Sequence, residues 1–193
     1  MSTENKSFDR RDFLKTVGAT SLTLGTASSA FAGKTGTKMT GGRVLGANDR
    51  INIGVLGVGG RGAYDAQAFA KYGKDNNACQ IVAVCDVYEK RKKIAADLHK
   101  VPGFLDYREV LAKPEIDAVI IASPDHWHAK MALDALDKGK DVYLEKPMVH
   151  TNEEARQLVA TVKETKRILQ VGSQTTSADI WWKAKKAIAD GMI

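Results

Sequence analysis

The stretch Ile51–Gly62, Ile-Asn-Ile-Gly-Val-Leu-Gly-Val-Gly-Gly-Arg-Gly, constrains the fold of this chain more than any other. A short apolar run reads as a buried strand that stops in a glycine-rich turn, and Arg61–Tyr72 follows as a helix. Gly57, Gly59 and Gly62 fall in the G-x-G-x-x-G spacing. In a dinucleotide-binding turn the first glycine permits the tight bend, the second lets the backbone approach a pyrophosphate, and the third lets helix and strand pack closely. The anion would sit on the free N–H groups and positive end of the helix. Glycine-rich turns also occur without a ligand, so context matters. Asp86 closes the next apolar run, Gln80–Cys85, roughly 24 residues beyond Gly62, near the ~20 expected of a ribose-binding acid.

The pattern beyond Asp86 alternates. Val87–His99 reads as a helix, Gly103–Leu105 as a short strand, and Asp106 as the cap of a helix through Leu111. Asp117–Ala122 is continuously apolar, as a strand covered on both faces should be. A helix over His126–Gly139, a strand over Asp141–Leu144 and a helix over Thr151–Lys166 follow, the last opened by a Thr-x-x-Glu capping box, Thr151 to Glu154. A strand over Arg167–Val171 and a helix from about Ala178 to Asp190 complete the series. Strands separated by helices in this rhythm predict an α/β fold, a doubly wound parallel sheet over residues 51–175.

Ligands in such sheets bind beyond the carboxyl ends of the strands. Strand one ends in Gly57-Val58-Gly59-Gly60-Arg61-Gly62, strand two at Asp86, and strand four at Ser123-Pro124-Asp125-His126-Trp127-His128. Strand five ends at Glu145-Lys146-Pro147 and strand six at Gly172-Ser173-Gln174. One rim therefore gathers the residues with chemistry to offer. Cys79 and Cys85 lie about 20 Å apart along one strand, too far for a bridge, and no Cys/His spacing suits a metal.

Composition fits a globular chain: 193 residues, 44% hydrophobic, 27% charged, net charge +6. Apart from Lys90-Arg91-Lys92-Lys93 the basic residues are dispersed, and that run reads as a solvated helix face. A nucleic-acid partner is not expected. Residues 1–32 read as an export signal. Arg10-Arg11 precedes Phe13-Leu14-Lys15, a mildly apolar stretch follows, and Ala30-Phe31-Ala32 offers a small-x-small cleavage site. The paired arginines resemble a twin-arginine signal, which addresses a protein to the periplasm or the outside. An uncleaved anchor is the alternative; after cleavage no membrane contact is expected. Gly33–Arg50 reads as a flexible arm.

The glycine loop, Cys85-Asp86, Ser123-Pro124-Asp125-His126-Trp127-His128 and Gly139-Lys140-Asp141-Val142-Tyr143-Leu144-Glu145-Lys146-Pro147 together resemble the Gfo/Idh/MocA oxidoreductases, the glucose–fructose oxidoreductase and inositol dehydrogenase group. The likeness runs from Ile51 to about Gln174, with Glu-Lys-Pro its most diagnostic part. It implies an N-terminal NAD-binding Rossmann domain followed by a mostly antiparallel sheet domain, which would begin near the last residue, Ile193. The expectation is thus a piece of a longer, homo-oligomeric enzyme, inactive by itself, with residues 176–193 a helix leading into that domain.

The resemblance implies roles. Lys146 would lie beside the nicotinamide and the reacting carbon and assist proton transfer; a plain surface lysine is the alternative. Asp86 would accept from the ribose hydroxyls and disfavour the 2′-phosphate of NADP, a helix cap being its bland reading; Lys90 and Arg91 keep NADP open. Ser123, Pro124 and one of His126 and His128 would lie against the cofactor, the histidine as a contact and not as the base. Glu145 and Gln174 join the set of cofactor contacts. Trp181-Trp182 reads as a packing surface for the further domain, with a sugar platform as the alternative. The implied activity is hydride transfer between NAD and a sugar, cyclitol or polyol carbon. Two other readings stay open: a glycoside hydrolase that uses bound NAD transiently, and a non-catalytic NAD-binding protein.

Overall fold

The computed structural model describes residues 50–192. The export signal and most of the arm read from the sequence lie outside them.

Six strands form one parallel sheet in the order β3-β2-β1-β4-β5-β6. The elements are β1 (Ile51–Leu56), α1 (Gly60–Asn76), β2 (Cys79–Cys85), α2 (Glu89–His99), β3 (Gly103–Phe104), α3 (Tyr107–Leu111) and β4 (Ala118–Ile121). A single 3₁₀ turn (Asp125–Trp127), α4 (His128–Asp137), β5 (Asp141–Glu145), α5 (Asn152–Thr165), β6 (Leu169–Gly172), a second 3₁₀ turn (Gln174–Ser177) and α6 (Asp179–Ala189) follow. This is the doubly wound sheet expected, with the chain reversing direction across the sheet between β1 and β4. The helix expected from His126 is divided: residues 125–127 form the tighter turn and the α-helix starts at His128.

Local chemistry accounts for the element ends. Asp106 caps α3 by accepting from the Arg108 N–H at 2.9 Å. Thr151 and Glu154 form the reciprocal capping box of α5: Thr151 Oγ1 accepts from Glu154 N–H at 3.2 Å, and Glu154 accepts from Thr151 N–H at 3.0 Å.

Each face of the sheet carries its own core. On one, Leu56, Ile121 and Leu144 pack against Leu111 of α3, Leu136 of α4 and Leu158 of α5. On the other, Val55, Ile81 and Ile120 pack against Ala66 of α1 and Ala95 of α2. Both cysteines are free, Cys79 in the second core and Cys85 in the first. They sit an even number of residues apart and would share a face of a regular strand. The reason they do not is a bulge. Ile53 pairs with Ile81 but Gly54 pairs with Ala83, so β2 carries one extra residue, and Val82 and Ala83 both turn to the first core. The bulge inverts the alternation from there onwards. It sends Val84 to the second core and Asp86, two residues on, towards the glycine loop.

Leu144 is fully buried at the centre of the first core. Leu144→Ala should cost about 2–5 kcal/mol by lost transfer energy and a residual cavity. A lower urea midpoint with an unchanged slope checks it.

Candidate active site

The glycine turn is held by close contacts that leave no room for side chains at two positions. Gly57 has a φ of +88°, and a Cβ there would meet Ser123 N at 2.7 Å. A Cβ on Gly62 would lie 1.9 Å from the Gly57 carbonyl oxygen, so α1 is seated directly on the turn. Gly60 faces open space, and only the Arg91 guanidinium approaches Gly59, at 3.3 Å from a Cβ built there. The first N–H groups of α1 therefore open onto a site that an anion can enter. Val58 supplies one more tie, its N–H donating to Asp86 Oδ2 at 3.0 Å, while Tyr88 N–H donates to Asp86 Oδ1 at 2.8 Å. Asp86 is buried between these donors. Each of its oxygens keeps a lone pair for a further hydroxyl.

Two cavities open along the rim. A cleft of about 610 Å³ runs past Gly57, Gly59, Asp86, Arg91, Ser123 and Pro124, and is walled by Tyr88, Leu105, Tyr107 and Trp127. A smaller pocket of about 330 Å³ is lined by Arg61, Ser123, Asp125, His128, Glu145, Lys146 and Pro147. Ser123 belongs to both, so the two are adjacent. A cleft beside a helix N-terminus with a buried acid in its lining fits a dinucleotide, and the small pocket beside it carries charged side chains.

Beneath Lys146 lies a buried polar knot. Glu145, 3% exposed, accepts from Arg61 Nε at 2.9 Å, from the Gln174 side-chain amide and from Lys146 N–H at 3.2 Å. Gln174 also donates to the Tyr143 hydroxyl at 2.7 Å. Arg61 reaches Asp65, one turn along α1, at 3.1 Å. Burial works against the charge on Glu145, but hydrogen bonds from Arg61 and Gln174 outweigh it and hold this carboxyl below its ordinary range. Asp65 shows the opposite balance: burial pushes it up to about 6, with Arg61 pulling down and Glu145 pushing further up.

The candidate residues thus divide. Gly57, Gly59, Asp86, Ser123 and Pro124 line the long cleft, and Lys146 lines the small pocket. Gly60 and Val58 border a groove between α1 and α2. Arg61 and Gln174 both donate to Glu145. His126 stands exposed on the 3₁₀ turn, 4.0 Å from Asp125. His128 is 2% exposed, and both its ring nitrogens meet backbone carbonyls. Three residues were not singled out from the sequence. Asp65 is signalled only by its i, i+4 spacing from Arg61. Asp125 and His150 approach to 3.2 Å across two loops, which spacing does not reveal.

Fold, glycine turn, acid and cleft together define a dinucleotide-binding Rossmann domain. Residues 51–173 match the GFO_IDH_MocA model, the oxidoreductase family with NAD-binding Rossmann fold, and the chain belongs to this family. NAD, the cofactor expected from the sequence, is the one that the family description carries. Among curated proteins, a glycosyl hydrolase family 109 protein of Shewanella baltica is 33% identical over 177 residues, which cover 82% of this chain and 38% of that protein. An alpha-N-acetylgalactosaminidase of Shewanella oneidensis is 31% identical over the same share of each. The chain thus spans about two-fifths of the length of these relatives. Among solved structures, the WlbA dehydrogenase of Bordetella pertussis in complex with NADH and UDP-GlcNAcA aligns with a TM-score of 0.68 and 26% identity, over 74% of this chain and 42% of that one. The scyllo-inositol dehydrogenase of Lactobacillus casei with NAD(H) and scyllo-inositol aligns with a TM-score of 0.67 and 27% identity, over 75% and 42%.

The Asp65 result carries a pH dependence. Its folded-state value, about 6, lies above the ordinary 3.8, so the folded chain binds the proton more tightly than the unfolded one. The associated stability is complete below about pH 4 and is lost as pH rises through about 6. Asp65→Asn should flatten that decline, and thermal unfolding of both proteins between pH 4 and 8 reads the difference.

Proposed function

We propose that this chain is the cofactor-binding part of an exported, NAD-dependent oxidoreductase that moves hydride between nicotinamide and a carbon of a sugar, cyclitol or related polyol. The observation that carries the proposal is the placement of Lys146. Lys146 lines a small pocket at the rim, one residue beyond the buried Glu145 and adjacent to the long cleft. In the oxidising direction the substrate hydroxyl gives its proton to Lys146 Nζ, while the hydrogen on the same carbon leaves with its electron pair. Bound NAD supplies the acceptor for that pair. In reverse the ammonium returns the proton to the forming alkoxide. Asp86 holds ribose hydroxyls and repels a 2′-phosphate. The turn at Gly57–Gly62 presents α1 N–H groups to the pyrophosphate. Ser123 and Pro124 border the cleft where it meets the Lys146 pocket.

The dehydrogenases among the structural neighbours support this reading, since their crystals hold NAD(H) with a sugar nucleotide or an inositol. A second reading has its own support. The curated relatives at 31–33% identity are named as glycosyl hydrolase family 109 proteins and an alpha-N-acetylgalactosaminidase. In that case the same Lys146 pocket would serve an oxidation reversed later in the cycle, and the net reaction would be glycoside cleavage. Incubating the native protein with NAD and a panel of polyols, sugars and aryl glycosides separates the two. Stoichiometric appearance of reduced nicotinamide supports the first; glycoside cleavage without it supports the second, and neither activity rejects both. Lys146→Met should lower kcat by about 100-fold or more if the amine moves the proton.

Cofactor choice is tested on this chain directly. NAD should bind more tightly than NADP, and Asp86→Ala should narrow the gap, since it removes both the repulsion and charge-assisted hydrogen bonds to ribose. Titrating each cofactor against intrinsic fluorescence measures both affinities, and NADP binding as well as NAD in the unmodified chain would refute the assignment.

Export rests on Arg10-Arg11 and Ala30-Phe31-Ala32. The mature chain should begin at Gly33 outside the cytoplasm, and replacing both arginines by lysine should retain it inside. N-terminal sequencing from the native host reads the outcome.

A further inference from the structure

His128 opens α4 with its ring inside the protein, 2% exposed, between two loops of the rim. Nε2 lies 2.9 Å from the Ser123 carbonyl oxygen, on the loop after β4. Nδ1 lies 2.7 Å from the Pro147 carbonyl oxygen, one residue past Lys146. Backbone carbonyls only accept hydrogen bonds, and a neutral imidazole carries a single N–H. Two such contacts at these distances are both favourable only if each nitrogen holds a proton. With one proton missing, two lone pairs would face each other in a buried site, the costly arrangement for a polar group.

We propose that His128 is a positioning residue of the Lys146 site: an imidazolium that donates to Ser123 and Pro147 at once and fixes the loop bearing Lys146 against the loop bordering the cofactor cleft. The proposal rests on the reading of Lys146 as the proton-transfer group. The charges around the ring are mixed. Around the same pocket, Arg61 is already engaged by Glu145 and Asp65. Lys146 adds a positive charge at the mouth, and Asp125 supplies a carboxylate on the turn just before His128. Asp125 is held below its ordinary range first by its hydrogen bond from His150, with the field of His128 a smaller cause. The backbone tie matters because a lysine has a long flexible stem. Fixing its origin is what keeps the amine within reach of one reacting atom, and a misplacement of ~1 Å costs about 100-fold in rate.

The test begins with this chain carrying ¹⁵N-labelled histidine, without cofactor. The chain has four histidines, so His128→Gln assigns the signals. The expected result is one ring with both nitrogens protonated at neutral pH and slow to exchange. A bare nitrogen on the ring assigned to His128 overturns the proposal. The second measurement follows Lys146 by ¹³C reductive methylation during NAD titration. In folded His128→Phe, measured at saturating NAD, the NAD-induced shift of the Lys146 methyl signal should be lost. An unchanged shift in that variant overturns the positioning role. Failure of NAD to bind the unmodified chain would instead refute the cofactor reading and leave the ring result standing.

Discussion

The rim is organised around one buried carboxylate. Glu145 is taken out of water at the end of β5, a step that costs several kcal/mol for an unpaired ion. It is retained because three donors converge on it: Arg61 from the start of α1, Gln174 from beyond β6, and the N–H of Lys146. These come from three separate segments, so the carboxylate sets the spacing of the glycine turn, the Lys146 loop and the end of β6 together. The glycine turn is fixed independently from its other side, where Val58 and Tyr88 donate to Asp86. Removing Glu145 would thus leave Arg61 tied only to Asp65 and Gln174 only to Tyr143, while the contacts of Asp86 do not involve Glu145.

This arrangement separates binding from chemistry. Asp86 and the glycine turn face a long cleft with aromatic walls, whereas Lys146 faces a smaller pocket with charged walls. Of the charged groups there, Arg61 is paired with both Glu145 and Asp65. Asp65 rises to about 6 chiefly because it is buried; Arg61 pulls it back and Glu145 adds to the rise.

Much of this was legible in the sequence, for identifiable reasons. The strands on either side of the glycine turn are continuous apolar runs because both sheet faces are covered, and Thr151 with Glu154 and Asp106 wrote their caps in residue type and spacing. What was not legible depends on geometry that composition does not carry. A run such as Gln80–Cys85 is apolar at nearly every position, so it holds no alternation from which the bulge at Val82 could be read. Yet that bulge turns Asp86 to the glycine loop. His126 and His128 look equivalent in sequence, two apart at a strand end. The 3₁₀ turn between them leaves one ring in solvent and puts the other between two backbone carbonyls.

The placement of donors also limits what the described rim can recognise. The acid, the glycine turn and the wall residues of the long cleft all belong to residues 56–131. The small pocket offers one free amine, and most of its remaining polar groups are satisfied internally, Glu145 by Arg61 and Gln174, Asp125 by His150, His128 by two carbonyls. Discrimination among substrates of an enzyme needs several convergent donors and acceptors that strengthen in the transition state. Beside the rim, α6 presents Ile180, Trp181 and Trp182, all more than half exposed. Apolar surface of that extent on one helix is characteristic of a contact face. The chain covers 38% of the length of its Shewanella baltica relative.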